Sequence, residues 1–204
     1  MTVRTLLLSP DQLARAASVL RDGGVVVFPT DTVYGVAALA CDDAAVGRLF
    51  VAKNRPARRP IPVMVAEPEQ AMTVAYPSPG FWDLINAFWP GPLTIILPKR
   101  DVLPAIVTAG GDTVALRIPD HPLTLALLRL VDAPLAVTSA NLSDHPPART
   151  AQEARAQLDG RVDAIVDGGP APGGQPSTII DLTLSPPKIL RVGPISPAQL
   201  QRFF

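Results

Sequence analysis

The sequence predicts an α/β fold built on a mixed sheet, and three observations carry this. Short, continuously apolar runs such as Val25 to Phe28 have the pattern of strands buried on both faces. Segments with apolar residues at helical spacing, such as Leu13, Ala16, Ala17 and Leu20, alternate with these runs for most of the chain. In the last third, several strand-like runs follow one another with little helix between them, so part of the sheet is expected to be antiparallel.

Val3 to Leu8 reads as the first strand. Ser9-Pro10-Asp11-Gln12 then opens a helix, with Ser9 as cap, Pro10 in the first turn and Gln12 at the capping-box position. Gly23-Gly24 stops that helix, Val25 to Phe28 is a buried strand, and Pro29 ends it. Asp42 to Ala52 reads as a helix, with Val46, Leu49 and Phe50 on one side. Ile61 to Val65 is a strand, Phe81 to Phe88 a helix, Leu93 to Leu97 and Thr113 to Ile118 strands, Pro122 to Leu130 an apolar helix, and Leu135 to Thr138 a strand. Thr150 with Glu153 caps a helix ending near Gly160. Ala164 to Val166, Thr178 to Leu182 and Ile189 to Val192 complete the strands, and Ser196-Pro197 with Gln199 opens a last short helix.

Composition bounds the function. The 204 residues suit a single domain over 1–204, with no internal repeat and no linker long enough to divide it. A chain of this length buries about 70% of its unfolded surface, so it needs no disulfide or structural metal. The lone Cys41 excludes a disulfide framework and a Cys-rich zinc site. His121 and His145 are too far apart for a local metal-ligand pair, and no metal site is expected. With 18 Lys+Arg against 18 Asp+Glu, the net charge is zero, which argues against holding nucleic acid mainly by counterion release, although a local basic patch stays possible. A hydrophobic fraction of 48% and a mean hydropathy of +0.26 indicate a globular chain. The apolar stretch Leu84 to Pro98 is broken by Pro90, Gly91 and Pro92, and the N-terminal Leu run is too short for a signal peptide. The chain is therefore expected to be cytoplasmic and to contact no membrane, which suits an unpaired cysteine. Its 24 prolines, about twice the usual share of roughly 5%, are scattered and punctuate short elements.

Four segments can carry chemistry. Pro29-Thr30-Asp31-Thr32-Val33-Tyr34-Gly35 follows a buried strand, at the edge where α/β sheets bind ligands; it reads either as a ligand loop or as a capped turn. Lys53-Asn54-Arg55-Pro56-Ala57-Arg58-Arg59-Pro60 packs cations closely. Pro56 and Pro60 favour an extended backbone, which would point Lys53 and Arg55 to the same side, fit for phosphate oxygens; the other reading is a solvated charged loop. Thr138-Ser139-Ala140-Asn141 ends an apolar strand and, if extended, places Ser139 and Asn141 on one side; a strand-end cap is the alternative. The Gly-rich run from Asp167 to Thr178 allows close backbone approach to a ligand or forms a plain connection; it is no Walker loop. Arg117 and Arg191 interrupt apolar strands and must face solvent, a partner charge or a ligand. His121 belongs to a helix start. The inventory is hydroxyls and cations without a nucleophile set, which suits binding a polyanion and orienting a reaction whose nucleophile belongs to the substrate.

In order, PTDTVYG at 29–35, KNRP at 53–56, FWPGPLTIIL at 88–97, VALRIPDHP at 114–122, TSAN at 138–141, DGG and PSTIIDL within 167–182, and LRVG near 190 resemble the YrdC-like family of threonylcarbamoyl-AMP synthases. The resemblance covers nearly the whole chain. The Lys-x-Arg and Ser-x-Asn pair, Lys53/Arg55 with Ser139/Asn141, is the family's functional signature. It implies a twisted open sheet flanked by helices, with a concave basic cavity. It further implies that L-threonine, bicarbonate and ATP, with Mg²⁺, give threonylcarbamoyl-AMP and pyrophosphate. The product would feed tRNA threonylcarbamoyladenosine formation through a downstream threonylcarbamoyl transferase complex. By the same resemblance, Lys53 and Arg55 would be catalytic. Together with Arg59 and Arg191 they would hold the triphosphate. Thr113, Ser139, Ala140 and Asn141 would line the nucleotide side. Thr32, Tyr34, Arg117, Thr138 and Ser177 would surround threonine, with Arg117 facing its carboxylate. Relatives often carry Lys or His where this chain has Arg59, so the charge survives with a different reach. The length suggests the short form without an additional C-terminal domain. Two other readings are a non-catalytic RNA-binding module, which would include weak tRNA binding, and carbamoylation of another acceptor.

Overall fold

A computed structural model describes residues 4–173 and 175–204. Val3, expected to start the first strand, and Gly174 of the Gly-rich run lie outside the described residues.

The chain enters as β1 (Leu6–Leu8). The Ser9 N–H donates to Gln12 Oε1 at 3.1 Å, closing the expected box over a 3-10 turn that leads into α1 (Leu13–Arg21). Strand β2 (Val26–Phe28) is buried at every residue, as its apolar run requires. An unexpected strand, β3 (Gly35–Leu39), follows at once. It pairs antiparallel with β2, and its Gly35 permits close approach of the neighbouring chain: a Cβ there would lie 2.9 Å from Val137 Cγ1. Helix α2 (Asp43–Lys53) is capped by Asp42, whose side chain accepts from the Ala45 N–H at 3.0 Å.

Strand β4 (Val63–Met64) is shorter than expected, although Ile61 and Val65 are buried beside it. Helix α3 (Pro68–Val74) and the short α5 (Ala105–Thr108) have no counterpart in the sequence expectation; α4 (Phe81–Phe88) matches it residue for residue. β5 (Leu93–Pro98), β6 (Thr113–Arg117), α6 (Pro122–Val131) and β7 (Leu135–Ser139) follow. In α7 (Ala151–Leu158), Thr150 Oγ1 accepts from the Glu153 N–H, while the Glu153 carboxylate reaches back to the N–H of Arg149. β8 (Ala164–Val166), β9 (Thr178–Asp181), β10 (Lys188–Arg191) and α8 (Pro197–Leu200) complete the chain. Ser196 and Gln199 form the second expected box.

The described strands form one ten-stranded mixed sheet in the order β1-β8-β2-β3-β7-β4-β6-β5-β9-β10. β8 is parallel to β1 and β2, β4 to β6, and β5 to β9; the other pairs are antiparallel. Of the last three strands, only the β9–β10 pair is antiparallel, so the antiparallel character expected of the last third lies there. Side chains alternate between two cores. On one face Val27 and Val36 join residues of α2, α4 and α7; on the other, Val26, Phe28 and Ala37 meet α1 and α6. The sheet is thus flanked by helices on both sides, and the motif loops emerge where β2, β6 and β7 end.

Candidate functional site

These loops surround a cavity of about 600 Å³. Of the expected residues, Thr32, Tyr34, Arg55, Thr113, Arg117, Thr138, Ser139, Asn141, Ser177 and Arg191 line it, whereas Lys53, Arg59 and Ala140 do not. Three arginines and no Asp or Glu stand among the lining residues.

Arg117 is the last residue of β6, and the strand carries its side chain inward, where it is 4% exposed. Its guanidinium is held on three sides: Nε donates to Gly91 O at 2.9 Å, Nη1 to Thr32 Oγ1 at 3.3 Å and Nη2 to Asp31 Oδ2 at 2.5 Å. The partner charge required of a cation in an apolar strand is therefore Asp31. The other Asp31 oxygen, Oδ1, is buried without a partner. Burial pushes Arg117 below the usual arginine value, and Asp31 opposes that push.

The second anchor is a chain of three residues. Arg191 Nε donates to Ser177 O at 2.9 Å and Nη2 to Ser177 Oγ at 3.1 Å; Ser177 Oγ and Thr94 Oγ1 share a hydrogen bond of 2.7 Å. Burial, and then the nearby charge of Arg117, lower Arg191 as well. Tyr34 is fully buried and its hydroxyl donates to Gly169 O at 2.6 Å, tying the first loop to the Gly-rich run. Burial leads in pushing its phenol up to about 12, so Tyr34 acts as a neutral wall and donor.

The basic segment departs from its expected geometry. Lys53 closes α2, and Asn54 takes the left-handed conformation at φ 51°. The Arg55 N–H reaches Phe50 O at 2.9 Å and the Asn54 N–H reaches Val51 O at 3.1 Å, a Schellman-type helix end. The backbone is not extended there, so Lys53 and Arg55 diverge. Arg55 lines the cavity, with Nε donating to Arg59 O at 3.2 Å and Nη2 to Pro60 O at 2.8 Å. Lys53 is 1% exposed, and its Nζ donates to Ser139 O and, at 2.5 Å, to Asn141 O. Burial, then the charge of Arg55, bring its ammonium down to about 7. Arg59 makes an ion pair with Asp144 at 2.8 Å near the surface.

The TSAN segment also turns rather than running straight. The Asn141 N–H donates to Ser139 O at 3.0 Å, and the bend still leaves both side chains on the cavity. Asn141 Nδ2 donates to Leu142 O and His145 O, while its Oδ1 is buried without a partner. Thr113, at the exposed start of β6, and Thr138 lie on the rim and wall. His121 stands at the N-cap position of α6, in line with the helix-start reading, although its side chain makes no capping hydrogen bond.

Sequence reasoning missed Thr94, Thr108 and His145, all lining residues, and did not single out Asp31. Thr94 had a usable signal: like Arg117, it is a lone polar residue inside an apolar strand. The other signals are spatial.

The arginines and hydroxyls that line this cavity at the strand ends of an α/β fold have the chemistry to bind a small anionic or zwitterionic ligand. A family model for Sua5/YciO/YrdC proteins, described as telomere recombination, matches residues 18–193. The chain belongs to this family. It is 45% identical over 192 residues to a threonylcarbamoyl-AMP synthase of Bacillus subtilis, covering 93% of this chain and 56% of the relative. It is 42% identical to one of Pyrococcus abyssi, covering 92% and 55%. The chain thus spans about half the length of these curated relatives. The crystal structure of P. abyssi Sua5 complexed with L-threonine superposes with a TM-score of 0.94 at 39% identity, over 98% of this chain and 61% of that one.

Proposed function

We propose that this chain carries L-threonylcarbamoyladenylate synthase activity, a nucleotidyl transfer from ATP. The observation that carries the reading is the convergence of Arg55, Arg117 and Arg191 with Thr32, Ser139 and Ser177 on one cavity, in a chain over 40% identical to proteins named for this activity. In the proposed reaction, threonine's amine loses a proton and takes up bicarbonate as a carbamate, releasing water. A carbamate oxygen then forms a bond to the α-phosphorus of ATP as the bond to pyrophosphate breaks. The chain needs no nucleophile of its own; its task is to align the carbamate with ATP and neutralise phosphate charge.

Arg117, held in plane by Asp31, faces the threonine carboxylate with its remaining N–H groups, and Thr32, Thr138 and Ser177 supply hydroxyls around the amino acid, with Tyr34 as the wall. Arg55 and Arg191 hold the triphosphate, Arg59 approaches it from the rim, and Thr113, Ser139, Ala140 through its backbone, and Asn141 border the nucleotide. In this reading Mg²⁺ comes with the nucleotide, as Mg-ATP. The product would pass to a threonylcarbamoyl transferase complex acting on tRNA, and in this reading the protein works in the cytoplasm. Among the described residues no helix is long and apolar enough to cross a membrane.

Mass spectrometry after incubation with threonine, bicarbonate and Mg-ATP tests the reading. Threonylcarbamoyl-AMP and pyrophosphate should form only when all three are present. Pyrophosphate release that ignores threonine overturns it. Salt-sensitive tRNA binding with no ATP consumption would favour a non-catalytic module instead.

A further inference from the structure

The Lys53 ammonium lies against the wall of the cavity rather than in it. A buried ammonium needs acceptors, and here both known acceptors are backbone carbonyls, Ser139 O and Asn141 O, at the two ends of one tight turn. The Ser139 oxygen also accepts the Asn141 N–H that closes the turn, so cation and turn share an atom. The Lys53 carbonyl in turn accepts the Ser143 N–H at 2.9 Å, which fastens the end of α2 to the same segment from the opposite side. No carboxylate pairs with the ammonium among the described residues. To reach a phosphate in the cavity, Lys53 would have to abandon both carbonyls. Arg55, two residues on, already presents its guanidinium to the cavity.

We propose that Lys53 is a positioning residue: it holds the 139–141 turn so that the Ser139 and Asn141 side chains face the ligand, and it does not touch the ligand itself. The proposal rests on the nucleotide-binding reading of the cavity, yet its first test is independent of activity. Reductive methylation of the intact wild-type protein with formaldehyde, mapped by mass spectrometry, compares Lys53 with the exposed Lys188. Lys188 should react and Lys53 should not, with or without Mg-ATP. Reaction at Lys53, whether or not Mg-ATP protects it, overturns the proposal.

The second test is a cycle of ATP dissociation constants by calorimetry. Lys53→Met should weaken ATP about 10- to 100-fold, the worth of one or two charge-assisted hydrogen bonds made by the turn. In a Ser139→Ala/Asn141→Ala background, Lys53→Met should add nothing. A further loss of the same size there would mean direct contact and overturn the proposal. If Lys53→Met does not fold, the labelling result decides. If the wild-type protein binds no ATP, the synthase reading fails, and the labelling result still judges Lys53.

Discussion

Asp31 clamps Arg117: the two side chains, 11% and 4% exposed, meet at 2.5 Å between Oδ2 and Nη2. This ion pair joins the loop after β2 to the end of β6 and sets the plane of the most buried of the three arginines that line the cavity. Its loss should be costly. Asp31→Ala leaves a buried guanidinium without its charge partner and should destabilise the protein by about 3–5 kcal/mol. The double variant Asp31→Leu/Arg117→Met should cost less than the single one, because no orphan charge remains. Urea denaturation of both variants decides the point; equal or greater loss in the double variant would contradict it.

Arg55 should separate binding from folding. Its guanidinium contacts are with the Arg59 and Pro60 carbonyls and the Phe50 ring, at 5.9 Å, all at the cavity edge. Arg55→Ala is therefore expected to unfold at nearly the wild-type temperature while ATP binds about 10- to 100-fold more weakly, the range for lost charge-assisted hydrogen bonds. Unchanged ATP affinity by calorimetry would remove Arg55 from the site.

Gly173 packs where no side chain fits. A Cβ there would lie 2.6 Å from Thr32 O, 2.7 Å from Thr32 Cα and 2.8 Å from Asp31 O, all backbone atoms. Gly173→Ala must push the Gly-rich run away from the Asp31–Thr32 loop. KM for threonine should rise several-fold with little change in KM for ATP, since misplacement of about 1 Å suffices for large losses. An equal rise for both substrates would argue against a threonine-side role for this loop.

Lys53 predicts a pH dependence of stability. Its ammonium sits near 7 in the folded protein against 10.5 ordinarily. Below about 7 both states hold the proton, so the pH derivative is zero. Between these values the unfolded chain keeps a proton that the folded chain has released, so stability should rise with pH by at most about 1.4 kcal/mol per unit. Above 10.5 the gain is complete. Lys53→Met should lack the rise. Urea titrations of the two proteins at several pH values across this window check it, and parallel curves would refute it.

Much of the local structure was legible because its causes act over three or four residues. The boxes Ser9/Gln12 and Ser196/Gln199 and the Asp42 and Thr150 caps start helices where expected. The unbroken apolar run Val25 to Phe28 marked the buried centre of the sheet. The misses have the same explanation in reverse. β3 lies in a segment whose small apolar residues show no alternation, and it exists because β2 and β7 flank it on both sides. Pro56 favours an extended 53–55 segment, but the Asn54 left-handed turn ends α2 first.

The sequence by itself determined the α/β class, the family and ten of the residues that meet in the cavity, because these are carried by periodicity, caps and ordered motifs, although it also pointed to Lys53, Arg59 and Ala140, which do not line it. Only the tertiary structure decided what each residue touches. That Arg117 faces Asp31, that Ser177 bonds Thr94, and that Lys53 turns to the carbonyls of 139 and 141 while Arg55 faces the cavity all depend on contacts across 83 to 88 positions of the chain. Such contacts follow from which strands lie side by side, and no local pattern of side chains encodes that order.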